Sequence, residues 1–325
     1  MTYPVTLTAI GMYVPERILS NDDLSTMVET DDEWIIQRTG IRNRRIAADN
    51  EYTSDLCLSA VRDMQRRYGI SIEDTELVIV CTHTPDYPFP SVSCRLQDAL
   101  GLKQAGAIDL NATCAGFVYG LHIAAGLVAA GIHRKVLVAA GDTMSKIIDY
   151  SDRATCILFG DGAGAALVER GKQMDFLAFD LGSDGGGGLD VYRAGLSEQM
   201  DGVELKGKGK VVQNGREVYR FAVQTVTEGM SKIIEKANLS IEEIDWFIPH
   251  SANMRMIESI CDKSGFPHDK TLTSMAEYGN TSAASIAISF VLAVDAGQIK
   301  QGDLLLLFGF GGGLVYGSLL LRWSV

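Results

Sequence analysis

Cys114 lies at a point where a predicted buried strand gives way to a predicted apolar helix. The sequence around it reads Asp-Leu-Asn-Ala-Thr-Cys-Ala-Gly-Phe. The first turn of a helix carries partial positive charge, so this place favours a thiolate over a thiol. A cysteine taken alone is more often a small buried hydrophobic residue. A catalytic role for Cys114 therefore depends on what the rest of the chain places beside it.

Two further polar side chains come at junctions of the same kind. His250 follows a predicted strand over residues 244–249, and Asn280 precedes an apolar helical stretch over residues 283–296. A cysteine and a histidine are the elements of nucleophilic acyl transfer, and an asparagine adds a neutral hydrogen-bond donor. Alone, His250 fits a core histidine and Asn280 fits a helix N-cap. Only their joint placement with Cys114 makes them catalytic candidates.

A glycine turn and the remaining histidines complete the candidates. Residues 309–313 read Gly-Phe-Gly-Gly-Gly, and such a turn can point bare backbone N–H groups at an oxyanion. The other histidines have no partner in this pattern, and we interpret them as structural or surface residues: His83, His122, His133 and His268.

The second half of the sequence repeats the first. Residues 240–249 align with residues 71–80 at an offset of 169 (240 minus 71), and a helical stretch precedes each. Further on, the apolar helix that ends at Gly297 matches the helix after Cys114 at an offset of 166. At that offset Asn280 falls opposite Cys114.

The order of elements in each half indicates an α/β fold. Continuous apolar strands alternate with helices, which is typical of a parallel sheet covered on both faces. Residues 155–168 predict two more short strands around a glycine cluster, and this cluster lacks the directly following helix that a dinucleotide-binding loop requires. We therefore predict two βα halves, residues 1–172 and residues 173–325, with the active site where their equivalent strand-to-helix junctions meet.

Length and composition exclude several classes of protein. A chain of 325 residues with 46% hydrophobic residues can bury a large core. The formal net charge of −12 argues against nucleic acid as a partner, and no apolar run is long enough to span a membrane. The six cysteines lack the spacing of a metal site or a disulfide framework. The sequence therefore predicts a cytoplasmic protein with no metal.

These features resemble those of the β-ketoacyl-[acyl carrier protein] synthase III enzymes, which have the thiolase-like fold. The shared motifs occur in the family's order over nearly the whole chain: Trp34-Ile-Ile-Gln-Arg-Thr-Gly-Ile, Asn111-Ala-Thr-Cys-Ala-Gly-Phe, Phe159-Gly-Asp-Gly-Ala-Gly-Ala, His250-Ser-Ala-Asn-Met-Arg, Tyr278-Gly-Asn-Thr-Ser-Ala and Phe308-Gly-Phe-Gly-Gly-Gly-Leu. The resemblance implies two duplicated halves packed as a layered α-β-α-β-α structure.

The resemblance also implies a reaction in two steps. Cys114 would accept an acyl group from a short-chain acyl-CoA, with the backbone N–H groups of Cys114 and Gly312 holding the oxyanion. His250 and Asn280 would then stabilise the enolate formed when malonyl-[acyl carrier protein] loses CO₂, and this carbanion would attack the acyl-cysteine. The products would be a 3-oxoacyl-[acyl carrier protein], CoA and CO₂, the first step of type II fatty acid synthesis. Phe310 would line the site and shield it from water.

Other residues resemble the family's substrate-binding positions. Trp34 and Arg153 match the residues that sandwich the CoA adenine, and Arg38 matches the one near the CoA phosphates. Phe89 matches the residue that a partner subunit contributes to the acyl pocket, so the resemblance implies a homodimer. CoA is a substrate here, and the resemblance implies no cofactor. Three arginines would face the acidic carrier protein: Arg216, Arg220 and Arg255.

The chain departs from the commonest family pattern at Ser251, Tyr316 and Arg220, where glutamine, tryptophan and lysine are frequent. None of these is a catalytic candidate, but the preferred starter stays open between acetyl and short branched acyl groups. Two other functions also stay open. One is a related ketosynthase that loads starters for polyketides or other secondary products. The other is a non-catalytic module that binds acyl-CoA or a carrier protein, and the presence of all three catalytic candidates disfavours it.

Overall fold

The computed structural model describes residues 2–325, whose apolar runs form the strands of two central sheets. The strands are β1 (Val5–Tyr13), β2 (Arg17–Ser20), β3 (Asn43–Ile46), β4 (Leu77–Cys81), β5 (Gly106–Leu110), β6 (Lys135–Asp142), β7 (Gly162–Arg170), β8 (Phe176–Ser183), β9 (Val191–Arg193), β10 (Gln199–Met200), β11 (Val203–Glu204), β12 (Val211–Gln213), β13 (Trp246–Pro249), β14 (Leu304–Gly311) and β15 (Val315–Arg322). The helices are α1 (Asn21–Ser25), α2 (Asp32–Thr39), α3 (Thr53–Tyr68), α4 (Val92–Ala99), α5 (Gly116–Ala129), α6 (Arg153–Cys156), α7 (Gly215–Lys236), α8 (Met254–Ser264), α9 (Met275–Tyr278) and α10 (Ser285–Asp295).

The first sheet is mixed, with the strand order β1-β7-β6-β4-β5. β4 pairs in parallel with β5 and β6, whereas β7 runs antiparallel to β6 and β1. The predicted parallel sheet is therefore confirmed for β4, β5 and β6 and wrong for β7 and its pairing with β1. The physical reason is the connection from β6 to β7, which contains a 3₁₀ turn over Met144–Lys146 and the four-residue α6 in place of a long crossover helix that packs on the sheet.

The glycine cluster of residues 160–164 leads into β7. The two short strands predicted over residues 155–168 are wrong, because α6 and the single strand β7 take up this region. A Cβ atom on Gly164 would lie 2.1 Å from the Cβ of Ala287 in α10. Only glycine permits a helix to approach a strand this closely. The cluster thus has a packing role.

The second sheet repeats the layout of the first. Its order is β8-β15-β14-β13, with β13 and β14 parallel and the other pairs antiparallel. β14 begins and ends 169 residues after β6 (304 minus 135, and 311 minus 142). Within residues 2–325, the position of a fifth strand holds an isolated parallel bridge from Phe247 to Thr271 and no further strand. The predicted duplication is confirmed.

Five layers result from the way the helices cover the sheets. α5 and α10 contribute to one apolar core between the two sheets. α3 and α4 pack on the outer face of the first sheet, and α7 and α8 on the outer face of the second. This arrangement confirms the predicted α-β-α-β-α structure. The division at residues 172 and 173 falls between β7 and β8, but both halves share the α5–α10 core, so the two domains stay a prediction. In residues 2–325 no helix has the length and apolarity of a membrane span.

Candidate active site

A cavity of about 850 Å³ lies where the two halves meet. Both halves supply its walls. The lining includes most of the predicted site residues: Trp34, Arg38, Cys114, His250, Asn280, Phe310 and Gly312. The structure thus brings the three catalytic candidates into one space, as the duplication predicts.

Cys114 sits in a short 3₁₀ turn directly before α5. The preceding Thr113 has φ of 42°, an uncommon value for a β-branched residue. Its hydroxyl donates to the carbonyl of Gly312 at 2.8 Å. β14 passes so near that a Cβ atom on Gly311 would lie 2.9 Å from the Cβ of Cys114. The backbone of the second half is therefore pressed directly against the cysteine turn.

The thiol of Cys114 is protonated in the resting site. Burial raises its pKa to about 12, although the hydrogen bond from Ser282 lowers it. The two groups lie 3.4 Å apart, measured from Sγ to Oγ. The nearby carboxylate of Asp142 raises the pKa further. The expectation that the helix end would favour a thiolate is wrong for this state, because desolvation outweighs a helix-end effect worth at most about 2 kcal/mol.

His250 follows β13 and is only 2% exposed. Its backbone N–H donates to the backbone carbonyl of Phe308 at 2.8 Å. Its imidazole ring packs edge to face against the ring of Phe310, with 5.2 Å between the ring centroids. Burial lowers the pKa of His250 to about 3. The imidazole is therefore neutral at pH 7 and can act as a hydrogen-bond donor from only one of its nitrogens.

Ser285 determines which nitrogen of His250 carries the proton. The Ser285 Oγ lies 2.7 Å from Nδ1 of His250 and accepts the backbone N–H of Ser251 at 3.3 Å. We assign the donor role in this contact to the Ser285 hydroxyl, so that Nδ1 of His250 accepts and Nε2 carries the proton. The Nε2–H tautomer follows, and this N–H is the donor left for a ligand in the cavity.

Asn280 is held by its backbone on two sides. Its N–H donates to the carbonyl of Leu158 at 2.8 Å, and its carbonyl accepts the N–H of Gly160 at 3.0 Å. The side-chain Oδ1 accepts the N–H of Ser282 at 2.9 Å. Since Oδ1 is engaged, the amide NH₂ is the free end, and within residues 2–325 it has no hydrogen-bond partner. Asn280 therefore offers a second neutral donor to the cavity.

The prediction that Asn280 falls opposite Cys114 is wrong. The short helix Thr113–Ala115 corresponds to Ser282–Ala284 at an offset of 169 (282 minus 113). At this offset Asn280 matches Asn111, whose Oδ1 likewise accepts an N–H two residues on, and Cys114 matches Ala283. The offset of 166 came from the helix ends, and α5 has 14 residues where α10 has 11.

Three polar residues near the site were not predicted from the sequence, Ser282, Ser285 and Asp142, and a fourth, His83, was not predicted to line the cavity. Ser282 and Ser285 follow Asn280 in the chain, but helix-start serines are common and gave no signal. The fully buried Asp142 ends β6, with Oδ2 lying 3.2 Å from Nδ1 of His83. Burial would raise the pKa of Asp142, but His83 and hydrogen bonds lower it to about 2. His83 lines the cavity, and its interpretation as a structural or surface residue stays a prediction.

Comparison with known proteins identifies the relationship. The family described as 3-oxoacyl-[acyl-carrier-protein] synthase III matches residues 108–185, and its C-terminal part matches residues 234–323. Beta-ketoacyl-[acyl-carrier-protein] synthase III 2 of Halalkalibacterium halodurans is 57% identical over 98% of this chain and 96% of its own. The protein of the same name from Bacillus subtilis is 54% identical over 98% of each.

The chain belongs to the 3-oxoacyl-[acyl-carrier-protein] synthase III family.

Solved structures of this family share the fold. The synthase III of Thermus thermophilus superimposes with a TM-score of 0.95 and 44% identity, covering 98% of this chain and 99% of that one. A priming β-ketosynthase from the R1128 polyketide pathway gives 0.92 and 34%, covering 99% and 97%. The thiolase-like fold predicted from the motifs is thereby confirmed.

The residues predicted to bind CoA gather at one mouth of the synthase III cavity. Asp31 caps α2 by accepting the N–H of Trp34 at 2.7 Å, and Gly40 ends the helix with φ of 75°. The spacing of four residues puts Trp34 and Arg38 on one face of α2. The guanidinium of Arg153 lies 4.9 Å from the indole centroid, and that of Arg38 lies 5.5 Å from it. Arg153 itself is not among the lining residues of the cavity.

The remaining predicted residues lie outside the cavity. Phe89 is 85% exposed. The three predicted carrier-protein residues are exposed on α7 and α8, which pack against each other: Arg216, Arg220 and Arg255. Arg220 pairs with Glu217 at 2.5 Å. In residues 2–325 no group of His, Cys, Asp and Glu side chains could hold a metal ion.

We expect alkylation of Cys114 by iodoacetamide to rise about tenfold per pH unit between pH 7 and 9, because the thiolate fraction grows in that proportion below a pKa of about 12. Peptide mapping by mass spectrometry separates Cys114 from the exposed Cys94. Ser282→Ala removes a hydrogen bond that lowers the pKa and is expected to slow alkylation at each pH. A rate that levels off below pH 8 would contradict this picture.

We expect ¹⁵N NMR of histidine-labelled protein to find His250 neutral and in the Nε2–H form from pH 5 to 8, since its pKa is about 3. The difference spectrum against His250→Gln assigns the signal. Ser285→Ala removes the hydroxyl that directs the tautomer, so the signal is expected to shift towards a tautomer mixture. An Nδ1–H form in the unsubstituted protein would refute the assignment.

Proposed function

We propose that this protein is an acyltransferase that condenses a short-chain acyl-CoA with malonyl-[acyl carrier protein]. The observation that carries the proposal is one cavity lined by a cysteine, a neutral buried histidine and an asparagine whose free amide end is a donor. The products are a 3-oxoacyl-[acyl carrier protein], CoA and CO₂. Membership of the synthase III family supports the same reaction.

In the first step the sulfur of Cys114 attacks the thioester carbon of the acyl-CoA. The thiol proton leaves the cysteine and ends on the sulfur of CoA, so the step is balanced without an added base. The backbone N–H groups of Cys114 and Gly312 hold the oxyanion, and a rigid pair of such donors is worth several kcal/mol. The contact between Thr113 and Gly312 supports this role, because it fixes the two backbones against each other.

In the second step the malonyl group loses CO₂ beside His250 and Asn280. Negative charge develops on the thioester oxygen as the C–C bond breaks. The Nε2–H of His250 and the amide of Asn280 donate to that oxygen and stabilise the enolate. The enolate carbon then attacks the acyl-cysteine, the thioester C–S bond breaks, and the Cys114 sulfur leaves as a thiolate that takes up a proton from water. A strong base is not required, which fits a histidine with a pKa of about 3.

The CoA moiety is placed at the mouth formed by α2 and α6. A flat heterocycle suits a slot between the Trp34 indole and the Arg153 guanidinium, with Arg38 near the phosphates. Because Arg153 contacts the indole directly, it must swing away when the adenine enters. The exposed arginines of α7 and α8 would face the acidic carrier protein. We place the enzyme in the cytoplasm and assign it no cofactor.

The pathway has two candidates. The relatives named beta-ketoacyl-[acyl-carrier-protein] synthase III 2 favour fatty acid synthesis, and the structural likeness to a polyketide priming ketosynthase keeps a secondary-metabolite role as the second candidate. Acetyl-CoA and branched short-chain acyl-CoA starters, tested against malonyl groups on different carrier proteins, distinguish the two.

We expect Cys114→Ala and Asn280→Ala to fail at different steps. Cys114→Ala removes the nucleophile and abolishes the acyl adduct seen by mass spectrometry after incubation with acyl-CoA. Asn280→Ala spares that adduct but lowers condensation with malonyl-[acyl carrier protein] about 100-fold or more, as expected for loss of one oxyanion donor.

Cys94→Ala is the matched control, since it removes an exposed cysteine outside the cavity. It is expected to keep both steps. Condensation in Cys114→Ala at the normal rate would sink the proposed mechanism. An unsubstituted protein that binds acyl-CoA without forming an adduct would favour the non-catalytic binding module.

A second copy of this chain completes the proposed site. β5 is the last strand of its sheet, and in residues 2–325 its outer edge has no partner. The neighbouring surface carries large exposed apolar side chains, with Ile108 54% and Phe89 85% exposed. An open apolar edge invites pairing, and two identical strands related by a twofold axis satisfy each other. Phe89 of each subunit would then reach the acyl pocket of the other.

We expect Ile108→Lys to convert a dimer into a monomer, because the lysine places a charge on the edge that a second β5 would cover. Size-exclusion chromatography with light scattering measures the mass. Ile18→Lys is the control, because Ile18 is 50% exposed on β2, away from this edge. A dimer that survives Ile108→Lys would contradict the β5 interface.

A further inference from the structure

Arg44 is a buried cation in β3 without a carboxylate partner. It is 0% exposed, and within residues 2–325 its guanidinium bonds only to oxygens of neutral groups: the carbonyls of Ile157 and Arg42 and the side-chain carbonyl of Asn21. Burial lowers the pKa of Arg44 to about 10, which leaves it charged at pH 7. Burying an unpaired charge opposes folding, so the arrangement requires a compensating role.

The guanidinium clamps the segment that frames Asn280. Nε of Arg44 donates to the carbonyl of Ile157 at 3.1 Å, and Nη2 donates to the same oxygen. The next residue, Leu158, accepts the N–H of Asn280, and Gly160 donates to the carbonyl of Asn280. The carbonyl that Arg44 binds, that of Ile157, is therefore adjacent in the chain to the carbonyl that binds Asn280, that of Leu158.

The aliphatic part of the Arg44 side chain packs between Gly279 and Gly160, the two glycines next to Asn280 in space. A Cβ atom on Gly279, the residue before Asn280, would lie 2.9 Å from Cγ of Arg44. On the other side is Gly160, where an added Cβ would lie 3.4 Å from the Cβ of Arg44. Just before β3, the N–H of Arg42 donates to the carbonyl of Ala276 at 2.8 Å. Arg42 and Arg44 thus support the chain that leads into Asn280.

We infer that Arg44 is a positioning residue for Asn280 in the decarboxylation step. The inference rests on the proposed function of Asn280 as an enolate donor. A planar guanidinium donates several hydrogen bonds in fixed directions, which a lysine or an apolar side chain does not reproduce. A donor displaced by about 1 Å loses on the order of 100-fold in rate. The first step uses Cys114 on the opposite turn and does not depend on this clamp.

The test compares the two steps in Arg44→Met. Acylation by acyl-CoA is measured by mass spectrometry, and condensation is measured per acylated cysteine, so an unfolded fraction does not affect the ratio. We expect condensation to fall about 10- to 100-fold while acylation stays within about twofold. Arg17→Met is the matched control, since it removes an exposed arginine from β2, the strand that pairs with β3, and is expected to change neither step. Arg44→Lys is expected to fall between the two, and it carries the comparison if Arg44→Met does not fold.

A double-mutant cycle with Asn280→Ala tests whether the arginine acts through the asparagine. In the Asn280→Ala background, Arg44→Met is expected to cause no further loss of condensation. Losses that multiply, or acylation that falls in parallel with condensation, would overturn the inference. An unsubstituted enzyme that forms the acyl adduct but does not condense with malonyl-[acyl carrier protein] refutes the proposed function and this inference together. Normal condensation in Arg44→Met refutes the inference alone.

Discussion

The site depends on a contact between two backbones that leaves no room for side chains. β14 crosses the turn of Cys114 at Gly309 and Gly311, and a Cβ atom on Gly309 would lie 2.7 Å from the Cα of Ala115. On the first sheet, Gly164 allows α10 the same close approach. Because an added Cβ would meet the Cα of Ala115 at Gly309 and the Cβ of a facing residue at Gly311 and Gly164, a side chain at any of the three glycines would separate the halves. The cavity, its oxyanion donors and the placement of Cys114 all follow from this fit.

Burial then sets the charge state of the groups that the contact brings together. Desolvation keeps Cys114 protonated and His250 neutral, with pKa values of about 12 and 3. Asp142 is ionised, and hydrogen bonds from Thr82, Thr84 and its neighbours satisfy its oxygens. A site of neutral donors suits a reaction whose negative charge appears only as the C–C bond breaks. Donors fixed in a cavity stabilise that charge without having to reorient, whereas water would reorient.

Sequence patterns identify features that are local and miss those that depend on distant partners. Apolar runs predict the strand before His250, which is β13, and the helix after Asn280, which contains α10, because adjacent residues determine these elements. Ser285 meets His250 across 35 residues and Arg44 meets Ile157 across 113, without any periodic signal. The direction of β7 depends on how its connection packs. The protonation of Cys114 depends on burial, which a helix-start pattern does not report.

The duplication explains why one cavity holds two different chemistries. At the offset of 169, His250 and Ser285 correspond to Cys81 and Gly116. In the second half the serine hydroxyl lies 2.7 Å from Nδ1 of the histidine. In the first half a Cβ atom on Gly116 would lie 3.0 Å from the Cβ of Cys81, so a serine there would crowd the fully buried cysteine. The two equivalent positions are thus in direct contact within each half. In the first half, the turn of Cys114 is followed by Gly116, which packs closely against Cys81. In the second half, the equivalent position is Ser285, which contacts the side chain of His250.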